Sequence, residues 1–165
     1  MVAFVQLALR AFQFLMVLLI TALVGNVIAE AFAGNASAIN YAIFVAVFCW
    51  ITVLYGVAAS IVESLAMPIV LAALDGLSAL FTFIAGVVLA AKLGVHSCGN
   101  DSYVRSNSLT NGSNNPSKRC HELQASTAFF WFLFAAFCAT AFLSFTGGNM
   151  RRGGLSSKGP SMSQV

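Results

Sequence analysis

Residues 70–90 read VLAALDGLSALFTFIAGVVLA, an uncharged apolar run broken by one carboxylate, Asp75. About twenty such residues are what an α-helix needs to cross a hydrocarbon layer about 30 Å thick. A strand of a transmembrane barrel would alternate apolar and polar residues, and this stretch does not. Pro68 stands just ahead of it, where a missing N–H costs a helix nothing. The reading is a membrane-spanning helix over about 68–91, and the rest of the chain is read outward from it.

Three more runs have the same character. FQFLMVLLITALVGNVI lies between Arg10 and Glu30 and gives a span at about 11–29. Between Glu30 and Glu63 the apolar stretch is longer than one crossing requires, so AFAGNASA is read as a turn and the span as about 39–60. The last run, about 124–146, carries Phe129, Phe130, Trp131, Phe132, Phe134, Phe137, Phe142 and Phe145. Helices satisfy their own backbone groups in lipid, so the expectation is an all-α, four-helix transmembrane bundle over residues 1–150. Residues 92–122 form its large loop, and a disordered tail covers 151–165.

Composition agrees with a lipid solvent. The 165 residues are 59% apolar and only 8% charged, with a mean hydropathy of +0.89; a soluble domain carries about 25% charge. Eight Lys and Arg are scattered along the chain with no stripe that could follow phosphates, which excludes a nucleic-acid partner. A cleaved signal peptide is the competing reading of the first run, since Ala29-Glu30-Ala31 has small residues at cleavage spacing. The run is longer than a signal core and no basic residue precedes Arg10, so a retained anchor is preferred.

Four crossings put both termini on one side, but the basic residues do not decide which. Arg10, Arg151, Arg152 and Lys158 balance Lys92, Arg105, Lys118 and Arg119. Acceptor sequons at Asn35, Asn100 and Asn111 fall in the first and third loops, making these three asparagines candidate glycosylation sites. Cys98 and Cys120 in the third loop could pair in an oxidising compartment, and Arg151-Arg152 adjoin a helix end, where the positive-inside rule weighs most. Together these favour cytoplasmic termini and an extracellular 92–122 loop.

That loop also holds His96 and His121. Adjacent Cys120-His121 suits zinc spacing poorly, so a Cys98–Cys120 disulfide is preferred over a metal site. Cys49 and Cys138 are read as small apolar packers. Glu30, Glu63, Asp75, Asp101 and Glu122 are spread over four regions, with no phosphate loop and no His-Glu-x-x-His pattern, so neither an enzyme nor a cofactor is expected.

Asp75 is the sharpest single residue. A carboxylate within a span costs up to about 3 kcal/mol and therefore faces a partner or water. It is read first as a structural anchor, paired with Arg10 or bonded to Thr52 or Tyr55, and second as the ion or proton site of a small transporter or channel. Small pairs at helix-contact spacing (Ala72 and Gly76, Gly86 and Ala90, Gly56 and Ser60, Ala135 and Ala139) would let helices approach closely, within one bundle or between copies in a homo-oligomer. Tyr41 and Trp131 are placed near the outer membrane edge. In the tail, Arg151 and Arg152 would favour an anionic leaflet, and phosphorylation at Ser156, Ser157, Ser161 or Ser163 would weaken that attraction. The closing Ser163-Gln164-Val165 could add as a strand to a carboxylate-binding domain.

Several segments carry a resemblance: Leu54-Tyr55-Gly56-Val57, Glu63-Ser64-Leu65-Ala66-Met67-Pro68, Leu74-Asp75, Phe81-Thr82-Phe83, His96-Ser97-Cys98, Ser102-Tyr103-Val104, Arg119-Cys120 and Ser163-Gln164-Val165. With them the chain resembles the fungal non-classical export protein 2 family, a four-span group of the MARVEL-domain superfamily. The resemblance implies a multi-pass plasma-membrane protein with cytoplasmic termini. Its implied role is to organise lateral domains of the eisosome type, among eisosome or other plasma-membrane proteins. It also implies contact with membrane lipids including sphingolipids, and a link to export of leaderless proteins. It supplies no catalytic residues.

Overall fold

The computed structural model describes residues 2–94 and 96–154. Four long helices carry the chain back and forth: α1 (Val2–Ala29), α2 (Ser37–Ile61), α3 (Pro68–Leu93) and α5 (Pro116–Gly154), with a short α4 (Asp101–Ser106) between α3 and α5. No strand occurs among the described residues. The long helices form a ring in which α1 lies against α2 and α5, and α3 against α2 and α5, with α3 packed most extensively on α5. All four are long and apolar enough to cross a membrane, and the protein is an all-α, multi-pass four-helix bundle.

Local chemistry sets the boundaries. Pro68 occupies the first turn of α3, and Gly94 ends that helix with φ 59°, a left-handed conformation that only glycine adopts freely. Asn100 caps α4 by accepting a hydrogen bond from the Tyr103 N–H. Helix α5 starts at Pro116, eight residues ahead of the expected 124. Asn115 Oδ1 accepts from the Lys118 N–H at 3.1 Å, so Asn-Pro supplies both cap and first turn. At its other end α5 runs to Gly154, so Arg151 and Arg152 belong to a helix rather than to an unstructured tail; the remainder, 155–165, lies outside the described residues.

The core is a narrow apolar axis that includes Val17, Ile20, Val24, Ile39, Val45, Val53, Leu89, Leu123, Phe130 and Phe137. Large apolar side chains also cover the outside, among them Leu18, Phe44, Ile51, Leu80, Phe132 and Phe142. Outward greasy faces around an inward polar seam are what a lipid solvent selects, since lipid tails have no preference for hiding Leu from Leu. Cys49 is buried, whereas Cys138 is exposed on the lipid-facing side of α5. Trp131 of α5 packs against α3. Its indole fills the space over Gly86, where an added Cβ would lie 3.3 Å from the ring.

Candidate functional site: a buried ion pair and a tied loop cap

The seam is built on residues from all four long helices. Arg10 of α1 points inward and donates two nearly parallel hydrogen bonds to Asp75 of α3, Nη1 to Oδ1 at 2.7 Å and Nη2 to Oδ2 at 2.8 Å. Both side chains are shielded, at 5% and 0% exposure. A fork meeting a fork in this way is the strongest geometry available to a carboxylate and a guanidinium. Nη1 also donates to Gln13 Oε1 at 2.8 Å, and Gln13 Nε2 donates to Thr140 Oγ1 of α5 at 3.0 Å.

Helix α2 contributes an absence of side chain. A Cβ on Gly56 would stand 2.4 Å from Arg10 Nε and 2.5 Å from its Cζ, so only glycine leaves room for the guanidinium. Of the residues considered as partners for Asp75, Arg10 is the one that meets it. Thr52 bonds Ser78 at 2.9 Å and Tyr55 bonds the Leu65 carbonyl at 2.9 Å. The small pairs divide in the same way. Gly56 and Gly86 admit a side chain from another helix, while Gly76 faces open space.

At the opposite end of the bundle the loops fold into a tied cap. A disulfide joins Cys98 to Cys120, packed with Val104 and Tyr103. Both thiols are therefore taken, and His96 lies on the Tyr103 ring with centroids 4.4 Å apart. Arg119 is buried at 2% exposure and fans out to three segments. Its Nε donates to Leu109 O at 2.8 Å, Nη1 to Val27 O at 2.6 Å, and Nη2 to Asn35 Oδ1 at 3.1 Å. It thereby satisfies a carbonyl that the end of α1 leaves open and holds the first loop against the third.

Lys118 adds an ion pair to Glu30 at 2.5 Å, and Glu122 accepts from Asn26 at 2.6 Å. The Lys118 ammonium holds the Glu30 carboxyl below its ordinary range. Of the sequon asparagines, Asn100 and Asn111 are exposed and Asn35 is half-buried against Arg119. Arg151 and Arg152 lie on the last turn of α5, and Ser156, Ser157, Ser161 and Ser163 lie outside the described residues.

The model of the membrane-associating domain called MARVEL matches residues 2–143, which include every member of the seam and the cap. The chain belongs to the MARVEL family. Among curated relatives, this MARVEL chain is 39% identical over 145 residues to the non-classical export protein 2 of Saccharomyces cerevisiae, covering 87% of this chain and 82% of that one. It is 37% identical over 156 residues to the non-classical export protein 102 of Candida albicans, covering 94% and 89%. The non-classical export protein 2 homolog 1 of Saccharomyces cerevisiae is 39% identical over 124 residues, covering 74% and 69%. No solved structure matches the chain significantly.

Three features of the site escaped the sequence reading. Gln13 had a signal, since it stands three residues after Arg10 and so shares its helix face. Gly56 was marked only as half of a small pair with Ser60, and the role of Arg119 had no signal, because each depends on which segment folds against it.

Proposed function

We propose that this MARVEL protein is a plasma-membrane organising scaffold of eisosome-type lateral domains, with cytoplasmic termini and a surface responsive to sphingolipid. The names of its relatives support a link to non-classical protein export. The observation that carries the reading is the saturation of Asp75. Both of its oxygens are taken by Arg10, and Arg10 is shielded in turn by Gln13 and by the helix wall at Gly56. A carboxylate held this way has its charge matched by a buried guanidinium and ties the bundle together, which favours a structural use over an ion site. The surface left for interaction is the apolar belt, with the cap outside and the tail inside, where lipids, neighbouring plasma-membrane proteins or further copies make contact. On this reading it performs no catalysis. Its mechanism is a shift in lateral clustering as its affinity for different lipid environments changes.

Imaging of a tagged copy before and after sphingolipid depletion tests the proposal. Patches that redistribute support it, and a uniform distribution in both conditions overturns it. The second reading, a small transporter using Asp75, is favoured only by the presence of a carboxylate within a span. It requires ion or proton flux in reconstituted vesicles that disappears in Asp75→Asn.

A further inference from the structure

The turn that joins α2 to α3 is apolar where a water-exposed turn would be polar. Residues 61–71 read IVESLAMPIVL, with Glu63 as the one charged residue. Ile61 is 78% exposed, Met67 54% and Ile69 73%, and Val62 and Leu65 are exposed beside them. Connecting turns in water are built from Gly, Asn, Asp, Ser and Pro, and contiguous exposed apolar surface marks a binding face.

Depth along the helices says what this face meets. On the cap side, the exposed Asn40 of α2 and Lys92 of α3 mark the polar boundary. At 1.5 Å per residue, a hydrocarbon layer of about 30 Å measured from them ends near Ser60 and Ala72. The apolar turn begins there and continues into the headgroup zone, about 5–7 Å thick on each side. Its backbone suits that zone, where water is scarce and polar groups need partners. The N–H groups of Val62, Leu65, Met67 and Leu71 donate to carbonyls within the hairpin, and Tyr55 ties the turn down through the Leu65 carbonyl. At the same end of the bundle Phe4, Phe142 and Phe145 are exposed at 77%, 68% and 67%, so the apolar collar continues on α1 and α5.

We propose that the 61–69 turn is a wedge immersed in the acyl–headgroup boundary of the leaflet on the side of the termini, and that its partner is lipid rather than water or protein. It stands on the bundle geometry and does not depend on the scaffold reading. The wedge gives that leaflet a bulky apolar insertion, while the opposite leaflet meets a polar cap. A helix pair anchored in this way binds best where lipid headgroups are loosely packed.

Depth measurement in lipid nanodiscs of phosphatidylcholine and phosphatidylserine, which expose both faces, tests this directly. An environment-sensitive fluorophore is placed at Met67→Cys, with Ser108→Cys in the cap loop as the aqueous reference. Both are built in a Cys49→Ala, Cys138→Ala background that keeps the disulfide, and an unchanged thermal midpoint certifies the fold. The wedge predicts iodide quenching at position 67 below about half that at position 108, together with strong quenching by a nitroxide near the headgroup end of the acyl chain. Iodide quenching at or above that level, or insensitivity to the nitroxide lipid, overturns it. Oxidative cross-linking of unlabelled Met67→Cys into dimers would assign the face to a second copy and also overturn it.

Discussion

Arg10 and Asp75 stand 65 positions apart in the chain and meet through two hydrogen bonds of 2.7 and 2.8 Å, which join α1 to α3. Neither residue is tolerable alone in its span, because each would carry a bare charge into lipid. Together they convert two insertion penalties into the tie that closes the end of the ring opposite the cap, with α5 joined through Gln13 and Thr140. The bundle therefore has a polar fastening near each end, with neutral hydrogen bonds such as Trp50 to Thr21 and Thr52 to Ser78 between them.

Removing one partner should cost more than removing both. Asp75→Leu leaves the Arg10 charge, and Arg10→Met the Asp75 charge, buried without its counterion, and a loss of about 3–5 kcal/mol is expected from each such half-broken pair. The double variant Arg10→Met, Asp75→Leu leaves no orphan charge and should lose less than the sum of the single changes. Thermal unfolding of the four proteins in one detergent gives the coupling energy. Additive losses would mean the pair does not act as a unit.

The two helical glycines that the sequence reading treated alike should behave differently. Gly56→Ala drives a methyl group into the Arg10 guanidinium, and overpacking of this kind costs about 1–3 kcal/mol. A Cβ on Gly76 meets nothing within 4 Å, so Gly76→Ala should be neutral or stabilising by up to about 1 kcal/mol through helix propensity. In an Arg10→Ala, Asp75→Ala background the Gly56→Ala penalty should vanish. Melting temperatures of the variants decide the point.

These two glycines show where sequence reading stops. The spans were legible because lipid demands long apolar runs, and the gaps between Arg10, Glu30, Glu63 and Lys92 leave space for three of them and that between Glu122 and Arg151 for the fourth. The start of α5 was legible in principle from Asn115-Pro116, but the polar run Ser117 to Glu122 resembles a loop when its partners are unknown. It is helical because Lys118, Arg119 and Glu122 each find a partner on α1 or in the first loop. Helix-contact spacing flags a glycine without saying what will approach it. That depends on the packing of α1 against α2, which periodicity does not encode.

The Cys98–Cys120 bridge closes a stretch with a sequence separation of 22, and in the chain-entropy account a loop of that size stabilises by about 3 kcal/mol. Cys98→Ser, Cys120→Ser should lower the melting temperature accordingly, and reductant should lower that of the parent protein to match. The double variant should be insensitive to reductant. Helicity of the spans should survive, because Arg119, Ser117 and the Tyr103 hydroxyl, which donates to Leu93 O, still tie the cap. A variant as stable as the parent would show that those bonds alone hold it.

Acid should loosen the cap through Glu30. Its folded-state acidity is shifted below the ordinary value of 4.5, first by the hydrogen bond from Lys118. A carboxyl whose folded value is depressed contributes stability that is fully present above its unfolded value and fades as pH falls through the folded one. Stability owed to this pair should therefore be flat from neutral pH to about 5 and decline below about 4.5. Glu30→Gln should remove that part of the decline and leave behaviour at low pH close to the parent's, where the parent's carboxyl is already protonated. The pair is open to solvent, so added salt should shrink the difference at neutral pH. Melting curves of both proteins across the acid range, at low and high salt, check the argument; a Glu30→Gln protein that tracks the parent at every pH would show that the ion pair contributes nothing to the cap.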